Sequence, residues 1–89
     1  MKAIITVIGK DTVGILAKVS TICAEYKANV IDVTQTVLED MFAMIMLVEI
    51  SHLSSDLGVL RETLEKMGGE NNLQIHVMHE DVFNTMHHV

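Results

Sequence analysis

The sequence contains a single cysteine, Cys23, among its 89 residues. One cysteine excludes an intramolecular disulfide and any Cys-x-x-Cys metal or redox pair. Cys23 falls within an apolar pattern of helical spacing, so we interpret it as a small core residue and not as a reactive thiol.

Basic residues are scarce as well, with 6 lysines and arginines against 12 aspartates and glutamates and a formal net charge of -6. Proteins that bind the phosphate backbone of nucleic acids present basic faces. We therefore expect no nucleic-acid partner.

Long hydrophobic runs are also missing. The longest, which contains Phe42 to Val48, falls far short of the ~20 apolar residues that a transmembrane helix needs. Because no small-residue cleavage site follows the first residues, we expect a mature cytoplasmic protein from Met1, without a membrane partner. A chain of this length supports one core, which predicts a single domain over 1–89 with a C-terminal extension over about 80–89.

The pattern of apolar residues predicts six elements and a short terminal helix. They are a strand over 3–8, a helix from Ile15 to near 27–29, strands over 30–39 and 41–50, a helix striped by Leu57, Leu60, Leu64 and Met67, a strand over 72–79 and a helix within 80–89. With right-handed crossovers, this order predicts the α+β ferredoxin-like βαββαβ sandwich, a four-stranded antiparallel sheet with both helices on one face.

Several local features follow from the same pattern. Ser54 or Ser55 is the expected cap of the second helix, and Gly68-Gly69 is its expected end. The second strand alternates Ile31, Val33 and Val37 with Asp32, Thr34 and Thr36, as a strand with one wet face does. The apolar residues of the terminal helix, Val82, Phe83 and Met86, are expected to face inward.

The first and third strands are the most apolar and are expected to be central. In the third strand, Phe42, Met44, Met46 and Val48 oppose Ala43, Ile45 and Leu47, so both of its faces should be covered. Since both helices lie on one face, the other would leave apolar residues in water. A homodimer is the expected cover, because two-fold pairing is the commonest assembly.

The residue sets needed for catalysis do not occur at supporting spacings. There is no Ser/His/Asp or Cys/His arrangement of that kind, and the acidic pairs 39–40 and 80–81 are typical of a turn and a cap. We therefore expect no enzyme activity and no cofactor. An RNA-recognition module of this fold would need aromatic residues on its central strands, where only Phe42 occurs.

The five histidines favour surface positions over a metal site. His76 and His79 are three residues apart in a strand and should point to opposite faces. His87 and His88 adjoin the C-terminus, where exposed imidazoles are common, and a metal-binding module built on them is a minor alternative.

The most polar corner of the sequence is the stretch VIGKDTVGIL, residues 7–16. Gly9 and Gly14 let the backbone bend and approach other groups closely. The N-terminus of the first helix favours an anion or carboxylate at this loop, whereas Asp11 or Thr12 would simply cap the helix. Both interpretations are open from the loop alone.

The segment GKDTVGIL followed by ANVIDVTQ resembles the ACT domain, a small regulatory module with a G-x-D-x-x-G-I loop and an N-[IV]-x-[DE]-x-x-Q strand. The size of the chain resembles the stand-alone ACT proteins related to the glycine-cleavage regulator. The resemblance covers residues 1 to about 80 and implies the same fold.

The resemblance also implies a pair of chains with an amino acid or similar small metabolite at their interface. The implied ligand-binding residues are Gly9, Lys10, Asp11, Thr12, Val13, Gly14 and Ile15 of the loop, with Asn29, Asp32 and Gln35 of the second strand. In that arrangement the helix N-terminus holds the ligand carboxylate, and Asp11 or Asp32 takes the ammonium. Structural alternatives stay open, since Asn29 would suit a positive φ at the helix end and Gln35 would pair across the sheet edge.

Two departures from the family pattern bear on the ligand and on the fold. Thr12-Val13 replaces the Arg-Pro that family loops often carry, which disfavours a phosphorylated ligand. Lys27 stands where the family commonly has the glycine that ends the first helix. Asn29 or a strained Lys27 must then take that conformation, at a cost of about 1 kcal/mol.

Two hypotheses for the function follow. The first is a homodimeric ACT-type sensor that binds an amino acid or related metabolite and reports it to a partner. The second is a ligand-free interaction module whose apolar sheet face docks a partner enzyme or regulator and whose loop is only a cap.

Overall fold

The computed structural model describes residues 1–10 and 13–86. Its elements are β1 (Lys2–Gly9), α1 (Ile15–Glu25), β2 (Asn29–Leu38), β3 (Met41–Glu49), α2 (Leu57–Glu70), β4 (Gln74–His79) and α3 (Glu80–Met86). This order confirms the predicted βαββαβ arrangement with a short terminal helix.

The four strands form one antiparallel sheet in the order β2-β3-β1-β4. The register places Ile5 of β1 between Met46 of β3 and Val77 of β4. The two most apolar strands are therefore the central ones, as predicted.

The core lies between α1, α2 and one face of the sheet. It is built from alternate strand residues and from the apolar stripes of the helices, including Ile5, Val7, Met44, Met46, Val48, Val19, Cys23, Leu60 and Leu64. Full burial of a Leu or Ile side chain stabilises the fold by about 1.5–3 kcal/mol. Cys23 is fully buried, and that burial raises the pKa of its thiol to about 11, which confirms a core cysteine.

The ends of α2 differ from the prediction. Asp56 occupies the N-cap position, and Ser55 only donates a hydrogen bond from its hydroxyl to the Asp56 carbonyl at 3.2 Å. The helix continues through Gly68-Gly69 to Glu70. A Cβ at Gly68 would lie 3.0 Å from both the Ile75 side chain and the Leu73 carbonyl oxygen, so this glycine allows α2 to approach β4.

A β-bulge between Val30 and Asp32 changes the predicted alternation of β2. Val30 and Val33 pack against the core, whereas Ile31 is 47% exposed. A bulge leaves its extra residue without a cross-strand partner and shifts the following residues to the other face. The expectation that Ile31 shares the inward face with Val33 was therefore wrong.

We call the sheet face opposite α1 and α2 the open face. At one end, Ile4 is only 8% exposed, where α3 packs against β1 and β4. In the middle of the sheet, where Ile45 pairs with Thr6, Ile45 is 50% exposed. The described residues of one chain therefore do not cover both faces of β3.

Helix α3 departs from the prediction in part. Val82 is 52% exposed and does not face inward, whereas Phe83 is partly buried. The side chain of Met86 lies outside the described part of the chain. In the ranges 1–10 and 13–86, no helix has the length and apolar character that crossing a membrane requires.

Candidate functional site

The loop between β1 and α1 is shaped by its two glycines. Gly14 is the N-cap of α1 and adopts a left-handed conformation, with φ 73. Its carbonyl accepts the first helical hydrogen bond, from the Lys18 amide at 3.0 Å. Ile15 then enters the core. Glycine is favoured here because any side chain is strained at this φ.

Gly9 allows the end of β1 to lie close to Asn72 and Leu73. A Cβ on Gly9 would collide with the Leu73 side chain and lie 3.5 Å from the Asn72 carbonyl oxygen. The end of β1 therefore rests against the turn between α2 and β4. Gly14 therefore bends the backbone and Gly9 allows a close approach, whereas a ligand contact at either glycine stays a prediction.

Lys10 and Val13 are exposed beside these glycines. The Lys10 ammonium lies 3.7 Å from an Asp40 carboxylate oxygen, with the side chains 76% and 71% exposed. Such an exposed ion pair contributes little stability, but it places the loop beside the β2–β3 turn. Asp11 and Thr12 lie outside the described residues, so the choice between a cap and a ligand contact at these two side chains stays a prediction.

Lys10 also borders a depression of about 270 Å³ at the corner of the sheet. The residues that line it are Ile8, Gly9, Lys10, Met41, Asn72 and Gln74. None of the predicted β2 residues contributes to it.

The three predicted residues of β2 are exposed. Asn29 opposes Glu49 at the start of the strand, and Gln35 opposes Met44 near its end. Asp32 follows the bulge, and its carboxylate accepts a hydrogen bond from the Val33 amide at 2.9 Å. The register puts Asp32 on the open face and Gln35 on the other face.

The loop and the start of β2 lie at opposite ends of the sheet. Gly9 pairs with Phe42 at one end, whereas Asn29 and Lys2 both pair with Glu49 at the other. The eight residues of β1 separate these ends by about 23 Å, at ~3.3 Å per residue. One chain therefore does not bring the loop and Asn29 together.

A second, open depression of about 410 Å³ lies where α1 ends and β2 begins. It is lined by Ser20, Ala24, Lys27, Ala28, Asn29 and Val30. The sequence did not mark Ser20 or Ala24 as candidates. Their only signal is that two small residues stand one turn apart on α1.

At the end of α1, Lys27 and not Asn29 takes the left-handed conformation. Lys27 has φ 60, whereas Asn29 already belongs to β2. The Lys27 amide donates to the Ala24 carbonyl at 3.1 Å, and the Ala28 amide donates to the Cys23 carbonyl at 2.8 Å. The strained lysine is thus the alternative that occurs.

The histidines are arranged as the spacing predicts. His76 is exposed and opposes Thr6, whereas His79 accepts a hydrogen bond at Nδ1 from the Asp81 amide at 3.0 Å. Within the described residues, no group of three or more His, Cys, Asp or Glu side chains is placed to hold a metal ion. His87 and His88 lie outside them.

Comparison with known proteins identifies the family. A family model described as the ACT domain matches residues 2–78. A UPF0237 protein of Methanopyrus kandleri is 49% identical over 88 residues, which cover 99% of this chain and 98% of that protein.

Solved structures agree with this match. An ACT domain protein from Streptococcus pneumoniae superposes with a TM-score of 0.81 and 42% identity, covering 93% of each chain. The regulatory subunit of aspartate kinase from Thermus thermophilus superposes with a TM-score of 0.64 and 27% identity, over 85% of this chain and 49% of that chain. The resemblance drawn from the loop and strand motifs is confirmed, and the chain belongs to the ACT domain family of regulatory, small-ligand-binding modules.

Proposed function

We propose that this ACT domain protein is a homodimeric sensor that binds an amino acid or a related small metabolite at the subunit interface and reports it to a partner protein. The observation that carries the proposal is the separation of Gly9 and Asn29 to opposite ends of one sheet. A site that uses both the loop and the start of β2 needs a second copy.

The edge position of β2 supports a specific pairing. β2 is the outer strand next to β3, and its side chains are mostly exposed. An unpaired edge is open to another strand. If two β2 strands pair antiparallel about a two-fold axis, the Asn29 end of one lies beside the Leu38 end of the other.

This pairing would also bring the loop of one copy to the depression of the other. Leu38 is followed by the β2–β3 turn, whose Asp40 lies 3.7 Å from Lys10. The partner's loop would then face the depression lined by Ser20, Lys27 and Asn29. Two such sites form per dimer, one at each end of the β2 pair.

The chemistry at these positions suits an amino acid. The N-terminus of α1, capped by Gly14, offers amide hydrogens and a positive dipole end to a carboxylate. The exposed Asp32 carboxylate, or Asp11, would accept the ligand ammonium. The regulatory role of the ACT domain family and the likeness to the aspartate kinase regulatory subunit support sensing over catalysis.

A thermal-shift screen with the common amino acids at millimolar concentration tests the proposal. We expect at least one amino acid to raise the melting temperature of the wild type and not that of Asp11→Ala or Asn29→Ala. Asn84→Ala, an exposed amide on α3, is the matched control and should respond like the wild type. A wild type that responds to none of them contradicts ligand sensing.

One observation favours a second candidate, the ligand-free interaction module. The open face exposes Ile8, Met41 and Ile45 on adjacent strands, and an apolar surface of this kind can dock a partner enzyme or regulator. Under this candidate, Ile45→Glu abolishes capture of a stoichiometric partner, and Asp11→Asn leaves the capture unchanged.

A further inference from the structure

We propose that Lys27 determines the specificity of the interface site and that the ligand carries a second carboxylate, as an amino dicarboxylic acid does. This inference rests on the proposed function, because the depression beside Lys27 meets the N-terminus of a second α1 only in the proposed dimer.

The backbone conformation at Lys27 favours glycine. Its φ of 60 lies in the left-handed region, which a side chain with a Cβ disfavours. The end of α1 requires that conformation, because the Lys27 and Ala28 amides turn back to the carbonyls of Ala24 and Cys23. The fold therefore gains no stability from a lysine here.

The surroundings of Lys27 suit an anion. Lys27 lines the depression together with Ser20 and Asn29, which carry a hydroxyl and an amide, and none of the described lining residues is acidic. Within the part of the chain that the structure describes, Lys27 forms no ion pair. In a chain of net charge -6, this ammonium supplies a local positive potential that attracts an anionic group.

The walls of the depression also limit what it accepts. Ala24 and Ala28 contribute short apolar side chains, which leave room for a short ligand side chain. In the proposed dimer, the ligand's α-carboxylate lies at the N-terminus of α1 in one copy. Its side-chain carboxylate then meets Lys27, Ser20 and Asn29 of the other copy.

The charge of the side chain is what this arrangement recognises. Aspartate and asparagine, and glutamate and glutamine, have nearly the same size, but only the acids carry the second charge. A desolvated ammonium left without an anion disfavours the amide ligands. The acids should therefore bind more tightly than their amides.

Isothermal titration of the full-length protein with these four amino acids tests the inference. For the wild type we expect one acid to bind about tenfold more tightly than its amide. Lys27→Gly should bring acid and amide to within about twofold while the melting temperature stays equal or rises by a few degrees. Lys27→Asn, which tolerates the left-handed conformation, should behave likewise. Lys66→Ala, at an exposed position of α2, is the control that removes the same charge elsewhere.

The outcomes separate the two claims. Equal binding of acid and amide by the wild type, or an acid preference that survives in Lys27→Gly, overturns the role of Lys27 and leaves the sensor proposal standing. A wild type that binds only amino acids with uncharged side chains also overturns the role of Lys27 and leaves the sensor proposal standing. A wild type that binds no amino acid overturns the sensor proposal and this inference together.

Discussion

The hydroxyl oxygens of Tyr26 and Thr63 lie 3.0 Å apart and join the end of α1 to α2. Thr63 donates its hydroxyl hydrogen to the Val59 carbonyl at 2.9 Å, so Tyr26 is the donor to Thr63. The Ser54 amide donates to the Tyr26 carbonyl at 2.9 Å on the same side. These bonds hold the end of α1, and with it the depression beside Lys27.

Removing this contact should lower stability without unfolding the protein. For Tyr26→Phe we expect a loss of about 1 kcal/mol in the free energy of unfolding, the usual net value of one hydrogen bond. Urea unfolding of Tyr26→Phe, Thr63→Ala and the double variant measures the coupling directly. Additive losses in the double variant would show that the two hydroxyls do not interact.

Substitution of Gly14 should lower the stability of the protein because of the backbone conformation at this position. Beyond its chain neighbours, the described residues place no atom within 4 Å of a Cβ built on Gly14, so Gly14→Ala meets no clash with them and costs only the strain of its φ of 73, about 1 kcal/mol. Gly58 in α2 has equally open space without a positive φ, so Gly58→Ala should stabilise the protein by about 0.5–1 kcal/mol. Relative to the wild type, the melting temperature of Gly14→Ala should fall and that of Gly58→Ala should rise. A shift of the same sign in both variants would contradict these roles of the two glycines.

Glu49 should make stability depend on acid pH. Hydrogen bonds from the Ser51 hydroxyl, the Ser51 amide and the Met1 ammonium lower the pKa of Glu49 from 4.5 to about 2. Because the pKa is lower in the folded state, the stabilisation is complete above pH 4.5 and is lost as pH falls through about 2. The difference in melting temperature between wild type and Glu49→Gln should therefore be constant near neutral pH and shrink toward pH 2.

Glu65→Gln on the exposed side of α2 is the control for that experiment. It removes a carboxylate that accepts none of the hydrogen bonds from Ser51 or Met1, so its difference from the wild type is the baseline for the Glu49→Gln comparison. A wild-type advantage over Glu49→Gln that persists undiminished at about pH 2 would mean that the carboxylate is not held by these donors.

Cys23 should be inert in the folded protein. Its thiol is fully buried and its pKa is raised to about 11, so the thiolate that reacts with alkylating or disulfide reagents is scarce at neutral pH. We expect native protein to react with a thiol reagent far more slowly than protein unfolded in urea. Rapid reaction of the native protein would place Cys23 outside the core.

The apolar pattern of the sequence was sufficient to predict the architecture. The lack of hydrophobic alternation within 41–50 identified β3 as a central strand, and the stripe through Leu60 and Leu64 identified the buried side of α2. These features are local, so a single sequence reveals them. They also fix which strands are central, because a strand with two apolar faces cannot lie at an edge of the sheet.

The features that the sequence predicted wrongly or missed depend on contacts between helices and strands. Gly68 has the sequence character of a helix end, but its position is explained by the approach of Ile75. Ile31 falls out of the alternation because β2 has a bulge against β3, and pairing register is not visible in one strand. The depression beside Lys27 was missed for the same reason, since Ser20 and Asn29 meet only after α1 and β2 are in place.

The most direct test of a site shared between two copies is complementation of two inactive variants. Asp11→Ala would remove the loop half and Asn29→Ala the strand half, so neither alone should bind the amino acid found in the screen. If each site takes its loop from one copy and Asn29 from the other, a re-equilibrated equal mixture forms heterodimers with one intact site. Titration should then recover about a quarter of the wild-type capacity. A mixture that contains heterodimers by mass measurement and still binds nothing would contradict the shared site, and so would a wild type that is a stable monomer at micromolar concentration.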